Sequence, residues 1–184
     1  MHLENYELRL GFQILYYKKY LLLLHAKTNY LSIIMTSEEQ LKADQQYMTK
    51  ALAEAEEAAK VGEIPIGAIV VCKGRIVSRA HNLTETLNDV TAHAEMQAIT
   101  AAANTLGGKY LTECTLYVTV EPCVMCAGAI GWAQIPRIVF GAYDEKRGYR
   151  RYAPLAMHPK AEVVGGVLEE GCARLMTDFF KNKR

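Results

Sequence analysis

The chain has little of several features that mark specialised classes of protein. Its 184 residues contain five cysteines at irregular spacing, and such an odd set argues against the disulfide framework of a small secreted domain. No run reaches the ~18 consecutive apolar residues of a membrane span. The formal net charge is only +1, so global charge does not indicate a nucleic-acid binder. We expect a cytoplasmic protein without membrane association.

The start of the chain differs from the rest. Residues 1–34 mix apolar and charged residues, and no small-residue cleavage site of a signal peptide follows them. Met35 then precedes Ser37 and Gln40, whose spacing fits a helix-capping box. We therefore expect residues 1–34 to be a non-native or poorly ordered extension. Residues 35–184 should form one domain, because their number suits a single hydrophobic core.

Hydrophobic periodicity predicts helices and strands in alternation after residue 36. The predicted helices cover residues 37–60, 92–106, 122–132 and 169–180, and the predicted strands cover residues 66–71, 75–80, 114–120, 137–142 and 161–167. Lys73-Gly74 is a tight-turn signal, so the first two strands should form a hairpin. This order predicts an α/β fold in which helices cover both faces of one central sheet.

Two segments carry residues with metal-binding chemistry. His93 lies near one predicted helix start, and Cys123 and Cys126 form a C-x-x-C pair at another, directly after Pro122. Zinc prefers nitrogen and thiolate ligands in a tetrahedron, and a catalytic site uses three protein ligands and leaves the fourth position for water. Glu95 is the expected general acid/base, which takes a proton from zinc-activated water and gives it to a departing amine.

The combined order H-x-E…P-C-x-x-C is a signature of zinc-dependent nucleobase deaminases. A C-x-x-C pair by itself also occurs in redox sites and in structural zinc sites, which need four protein ligands. A structural site would leave Glu95 without a function, so we favour the catalytic interpretation. Considered alone, His93 would more often be an ordinary helix histidine, and Asn82 would more often be a turn residue.

Longer segments resemble the bacterial tRNA-specific adenosine deaminases. The similar segments are Glu63–Ala68, Ala80–Asn82, Thr91–Glu95, Leu116–Ile130, Val139–Lys146 and Cys172–Phe180, within residues 37–184. The resemblance implies a cytidine-deaminase-like three-layer α/β/α sandwich with a central mixed five-stranded sheet, one Zn²⁺ per subunit and a homodimer. It also implies hydrolytic deamination of the wobble adenosine to inosine in a tRNA anticodon loop, with release of ammonia.

Several residues are expected to contact this substrate. By resemblance, Asn82 would contact the flipped nucleoside, Asp144 would contact the surrounding RNA, and Glu121 would support the site. Between Arg137 and Lys160, six Lys or Arg residues stand against two acids and alternate with aromatic residues, which suits phosphates and unpaired bases. The expected RNA-contacting residues there are Lys146, Arg147, Tyr149, Arg150, Arg151 and His158. The alternative is a solvated loop whose tyrosines pack on the core.

Two other functions are open from the sequence. A free-base deaminase acting on guanine or cytosine would use the same zinc site with a closed pocket, and it would not need the basic, aromatic stretch. A non-catalytic zinc-containing RNA-binding protein would not need Glu95. Trp132 and the run Arg147–Tyr152 also differ from the residues of many tRNA adenosine deaminases, so the substrate loop departs from the family pattern.

Overall fold

The structure is a computed structural model and describes residues 36–183. The chain divides into two units, residues 1–43 and 44–184. In the first unit the described residues, 36–43, are helical. The predicted extension over residues 1–34 lies outside the described residues, and its boundary with the predicted domain of residues 35–184 stays a prediction. Within residues 36–183, no helix is both long enough and apolar enough to cross a membrane.

Helices and strands alternate in the order that periodicity predicts. The elements are helix α1 (36–60), strands β1 (Gly67–Cys72) and β2 (Arg75–His81), helix α2 (Ala94–Leu106), strand β3 (Cys114–Val120), helix α3 (Val124–Trp132), strand β4 (Arg137–Ala142), helix α4 (Tyr149–Tyr152), strand β5 (Glu162–Val164) and helix α5 (Glu169–Asn182). Most boundaries agree with the predictions to within two residues, and three further details differ. Ser37 lies inside α1 and not at its N-cap, β5 is short because the chain turns at Gly166 with a φ of +85°, and α4 was not predicted.

One mixed sheet holds all five of these strands, in the order β2-β1-β3-β4-β5. β1 is antiparallel to both β2 and β3, whereas β3, β4 and β5 are parallel to one another. β1 is therefore the single strand of the sheet that runs opposite to the other four. The prediction of a central mixed five-stranded sheet is confirmed.

Helices cover both faces of this sheet, because successive strand side chains point to opposite faces. In β1, Ala68 and Val70 belong to a buried cluster with the alanines of α2 and the apolar side of α3. The alternate residues Ile69 and Val71 belong to a second cluster with side chains of α1 and α5. Two hydrophobic cores thus lie on either side of one sheet, which confirms the α/β fold and the three-layer α/β/α arrangement.

Gly67 lies where β1 passes close to α1. A Cβ atom at this position would collide with backbone atoms of Ala51 and Ala55. Helix backbone cannot move aside as a flexible side chain can, so we expect Gly67→Ala to destabilise the protein by ~1–3 kcal/mol. Gly108→Ala is the matched control, because a Cβ atom there meets no heavy atom within 4 Å. The urea concentration at the midpoint of unfolding should fall for Gly67→Ala and stay at the wild-type value for Gly108→Ala. Equal midpoints for the two variants would contradict the close approach of β1 to α1 at Gly67.

Candidate active site

The predicted site residues lie at one edge of the sheet. β2, β3 and β4 run in the same direction, so their carboxyl ends meet there, and they are followed by Asn82, Glu121 and Asp144 respectively. β1 begins at the same edge, where the Gly67 N–H donates a hydrogen bond of 3.1 Å to Thr119 Oγ1. Open α/β sheets bind ligands at the carboxyl ends of their parallel strands. The topology therefore brings segments that are distant in sequence to one ligand-binding edge.

His93, Cys123 and Cys126 come together from the starts of two helices. His93 is the N-cap residue of α2 and Cys123 is the N-cap residue of α3, and both have extended backbone. The His93 Nδ1 atom lies 3.7 Å from Cys123 Sγ and 3.5 Å from Cys126 Sγ. The ligand atoms of all three residues lie within 4.8 Å of one another. The structure thus groups the three residues that the sequence analysis proposed as metal ligands.

This donor set fits a catalytic zinc ion. Bonds of ~2.3 Å to sulfur and ~2.0 Å to nitrogen at the tetrahedral angle place N and S atoms ~3.5 Å apart. The observed separations of 3.5 and 3.7 Å agree with that geometry. No fourth Cys, His, Asp or Glu joins the cluster within residues 36–183. Three ligands leave one position of a tetrahedron for water, whereas a structural zinc site needs four.

A hydrogen bond between the two thiols of the cluster shifts their pKa values in opposite directions. The hydrogen bond between Cys126 and Cys123 lowers the pKa of Cys123 to about 4, against the opposing effect of burial, and His93 adds to the lowering. The same hydrogen bond and burial raise the pKa of Cys126. The contact with Cys123 also raises the pKa of His93. A divalent cation displaces such protons from its ligands, so metal binding here should release protons.

Glu95 lies in the first turn of α2 and is buried, with 3% of its surface exposed. Its Oε2 atom has no hydrogen-bond partner among the described residues. Burial raises the pKa of the Glu95 carboxyl to about 6, and the charge of Cys123 adds to the rise. A hydrogen bond from its own backbone N–H opposes the rise, as do the contacts with His93 and Cys126. Both protonation states are then accessible near neutral pH, as a group that takes and returns a proton requires. A buried polar atom without a partner is unfavourable, which indicates that a bound molecule completes this site.

Glu121 connects the end of β3 to the segment that follows β4. Its carboxylate accepts two hydrogen bonds of 3.0 Å from the Arg150 guanidinium. It also accepts hydrogen bonds of 3.2 Å from the backbone N–H groups of Asp144 and Arg150. The Arg150 guanidinium lies 4.5 Å from the centre of the Tyr143 ring, on its face. Arg150 is therefore held by protein partners, and its contact with RNA stays a prediction, as does the supporting role of Glu121.

Tyr149 belongs to the hydrophobic core. Its side chain is 5% exposed and lies in the cluster between the sheet and α2 and α3. Its backbone N–H donates a hydrogen bond of 2.9 Å to the Pro122 carbonyl, and the preceding Gly148 forms an isolated β-bridge with Cys123. The structure thus gives Tyr149 a packing role, which matches the alternative of a tyrosine packed on the core. Stacking of its ring on RNA stays a prediction.

The charged residues of the same segment form an exposed turn. Asp144 Oδ1 accepts hydrogen bonds of 2.9 Å from the backbone N–H groups of both Lys146 and Arg147. The Arg151 guanidinium donates a hydrogen bond of 2.9 Å to a backbone carbonyl of that turn. The side chains of Lys146, Arg147, Arg151 and His158 are exposed. Their contacts with RNA stay predictions, and so does that of Asp144, which shapes the turn.

Glu63 is a buried residue to which the sequence analysis gave no role. Its carboxylate accepts hydrogen bonds from Asn82 Nδ2 at 3.0 Å and from Thr84 Oγ1 at 3.3 Å. It also accepts hydrogen bonds from the backbone N–H groups of Glu85 at 3.2 Å and Thr86 at 2.7 Å. Asn82 is buried as well. The available signal was an acidic residue four positions before the buried strand β1, because an acidic residue needs hydrogen-bond partners if it is buried.

Comparisons with known proteins agree with this geometry. The family model for the cytidine and deoxycytidylate deaminase zinc-binding region matches residues 41–142. The chain is 45% identical over 146 residues to the tRNA-specific adenosine deaminase of Bacillus subtilis, a match that covers 77% of this chain and 91% of that protein.

Two solved structures share the fold. One, from a study of A-to-I editing by tRNA:A34 deaminases, is 41% identical, with a TM-score of 0.67 and coverage of 71% of this chain and 98% of that one. The other, guanine deaminase from Nitrosomonas europaea, is 22% identical, with a TM-score of 0.67 and coverage of 73% and 83%, and this likeness shows the fold alone. The chain therefore belongs to the cytidine and deoxycytidylate deaminase zinc-binding family, and within it to the tRNA-specific adenosine deaminases.

Proposed function

We propose that this protein deaminates the wobble adenosine of a tRNA anticodon loop to inosine. The observation that carries the proposal is the cluster of His93, Cys123 and Cys126 with the buried Glu95 beside it, whose Oε2 atom has no partner among the described residues. This arrangement supports hydrolysis of an amine. The proposed substrate is that of the relatives: this chain matches 91% of the length of a protein named tRNA-specific adenosine deaminase.

The chemistry needs a nucleophile and a group that moves protons. We propose that His93, Cys123 and Cys126 hold one Zn²⁺ per subunit. When bound, Zn²⁺ lowers the pKa of water to ~7 and so supplies a nucleophile at neutral pH. The Glu95 carboxylate takes a proton from the attacking water and returns it to the exocyclic nitrogen on C6 of adenine. The water oxygen replaces the amine, so adenosine and water yield inosine and ammonia.

An exposed basic turn supports a nucleic-acid substrate. The backbone of Gly148 is bridged to that of the proposed ligand Cys123, and the exposed cations Lys146, Arg147 and Arg151 lie within three residues of Gly148 in the chain. Cations in such a position suit the phosphates of an RNA strand. An anticodon loop is already single-stranded, so extruding one base into the site costs little free energy.

The test of this function is a comparison of substrates with the zinc-loaded protein. One reaction contains an anticodon stem-loop with a wobble adenosine, and the others contain free guanine or free cytosine. Inosine formed only in the stem-loop supports the proposal, and a stem-loop with a wobble guanosine is the matched control. Turnover of a free base alone would favour the free-base deaminase. Binding of the stem-loop without any turnover would favour the non-catalytic RNA-binding protein.

Arg147→Ala should weaken binding of the stem-loop and make it less sensitive to salt. A cation that contacts phosphate releases counterions on binding, so its loss should reduce the slope of log Kd against log salt concentration by about 1. Arg75→Ala is the control, because Arg75 is also exposed but begins β2, at the opposite end of the sheet. Fluorescence anisotropy at several salt concentrations measures both variants. Equal salt slopes for Arg147→Ala and the wild type would exclude a contact between Arg147 and an RNA phosphate.

We also propose that the protein acts as a homodimer in the cytoplasm. Trp132, at the end of α3, is 85% exposed and Leu155 is 93% exposed. Gly131 lies against the backbone of Ala156, so these apolar side chains come from adjacent segments. Exposed apolar surface of this kind marks interfaces between proteins, and five free thiols suit a reducing compartment. Light scattering should give twice the chain mass of 20.6 kDa, and a monomeric mass would contradict the dimer.

A further inference from the structure

The loop of residues 82–92 connects two parts of the site. It begins with Asn82, the proposed contact of the flipped nucleoside, and is followed directly by the ligand His93. Its two ends are joined by a hydrogen bond of 3.0 Å from Leu83 N–H to the Ala92 carbonyl. Any group that anchors the first residues of this loop therefore influences where the Asn82 amide lies.

Glu63 provides that anchor. Among the described residues, the groups that donate hydrogen bonds to Glu63 all lie within residues 82–86, and all of them are electrically neutral. Burial acts to raise the pKa of Glu63, but the hydrogen bonds from Thr86, Glu85 and Thr84 outweigh it and hold the pKa below the ordinary value. The carboxylate is thus ionised at neutral pH. Hydrogen bonds to an ionised, buried acceptor are stronger than those between neutral groups, so the loop start is firmly held.

The same contacts determine the orientation of the Asn82 amide. Its Nδ2 atom donates to Glu63 Oε2 at 3.0 Å and to Thr84 Oγ1 at 2.9 Å, which uses both of its hydrogens. Rotating the amide by half a turn would place its Oδ1 atom against the Glu63 carboxylate, which is unfavourable. The Oδ1 atom accepts no hydrogen bond from the described residues. It is therefore the atom of Asn82 that is available to a donor group of a substrate.

We propose that Glu63 is a positioning residue for the reaction, because its buried carboxylate holds the Asn82 amide in the orientation that receives the nucleoside. This inference rests on the proposed function, in which Asn82 contacts the substrate. It predicts two separable effects of losing the carboxylate. First, the start of the loop becomes mobile. Second, activity falls because the Asn82 amide is misplaced, while the metal ligands keep their positions.

Hydrogen exchange tests the anchor without any substrate. In Glu63→Ala and in the milder Glu63→Gln, the backbone amides of Glu85 and Thr86 should exchange faster, because they lose an ionised acceptor. Glu56→Ala is the matched control, since Glu56 is exposed on α1. Unchanged exchange of the two amides in both Glu63 variants would overturn the proposal, whatever the substrate is.

A double-mutant cycle tests the action through Asn82. We expect Glu63→Gln to lower kcat/KM on the stem-loop by up to ~100-fold, as misplacement of a substrate contact does. If Glu63 acts only by positioning Asn82, the double variant Glu63→Gln/Asn82→Ala should lose no more activity than Asn82→Ala alone. Losses that multiply, or a loss of zinc in Glu63→Gln, would overturn the proposal. A wild-type protein without activity on the stem-loop would instead contradict the proposed function. The hydrogen-exchange experiment would then still show whether Glu63 holds the start of the loop.

Discussion

Glu95→Gln should lower the rate of deamination by about 10⁴-fold while leaving zinc content and RNA affinity close to wild-type values. Glutamine has nearly the same size as glutamate, but it can neither take a proton from water nor return one to the departing amine. Glu95 is buried in the first turn of α2, and its Oε2 atom has no hydrogen-bond partner among the described residues, so the substitution removes the proton transfer and changes the packing little. Single-turnover kinetics on the stem-loop measures the rate directly.

The control for this prediction is the same substitution at an exposed position. Glu56→Gln on α1 changes the same functional group and leaves the site untouched, so its rate should equal that of the wild type. If Glu95→Gln retained activity within a few-fold of the wild type, Glu95 would not be the general acid/base. If the wild type bound RNA and lacked turnover as well, the non-catalytic alternative would gain support.

Cys126→Ser should remove zinc and activity together. Mutation of residues that only hydrogen-bond to a zinc ligand already lowers zinc affinity by ~10–100-fold. Loss of a ligand sulfur should therefore weaken zinc binding by more than ~100-fold. Serine is a poor substitute because its hydroxyl stays protonated at neutral pH, whereas the cysteine binds metal as a thiolate. Metal analysis after dialysis against a weak chelator, with activity measured on the same samples, tests the prediction.

Two controls accompany the cysteine variant. Cys72→Ser alters a partly exposed thiol at the end of β1, and it should keep both zinc and activity. Wild-type protein stripped by a strong chelator should lose activity and regain it when Zn²⁺ is added. Zinc content and activity at wild-type levels in Cys126→Ser would show that this thiol is not a ligand.

The cluster of His93, Cys123 and Cys126 was predictable from the sequence because its signals are local. Pro122, the C-x-x-C spacing and the H-x-E run each identify a residue type at a helix start, and the chemistry of zinc then selects the three ligands. The five strands were predictable for a similar reason, since β-branched runs bounded by turns have short-range signals. The capping box at Ser37 and Gln40 was not confirmed, because both residues lie within the described part of α1.

The contacts around the cluster could not be predicted, because they join residues that lie far apart in the chain. Glu63 reaches Asn82 across 19 positions, and Arg150 reaches Glu121 across 29. Sequence alone suggested that Arg150 and Tyr149 face RNA, since cations and aromatic rings in one stretch suit that role. In the folded chain Tyr149 is buried in the core and Arg150 is held by a buried carboxylate.

The sequence by itself determined the class of chemistry, through a ligand set whose residues sit at recognisable helix starts, and it determined the order of helices and strands. Only the tertiary structure decided which strands are neighbours, that β1 alone runs against the others, and which polar residues are buried. The physical reason is that burial and hydrogen-bond partners depend on which segments the sheet brings together. A carboxylate such as Glu63 acquires its role from the loop that the fold places beside it.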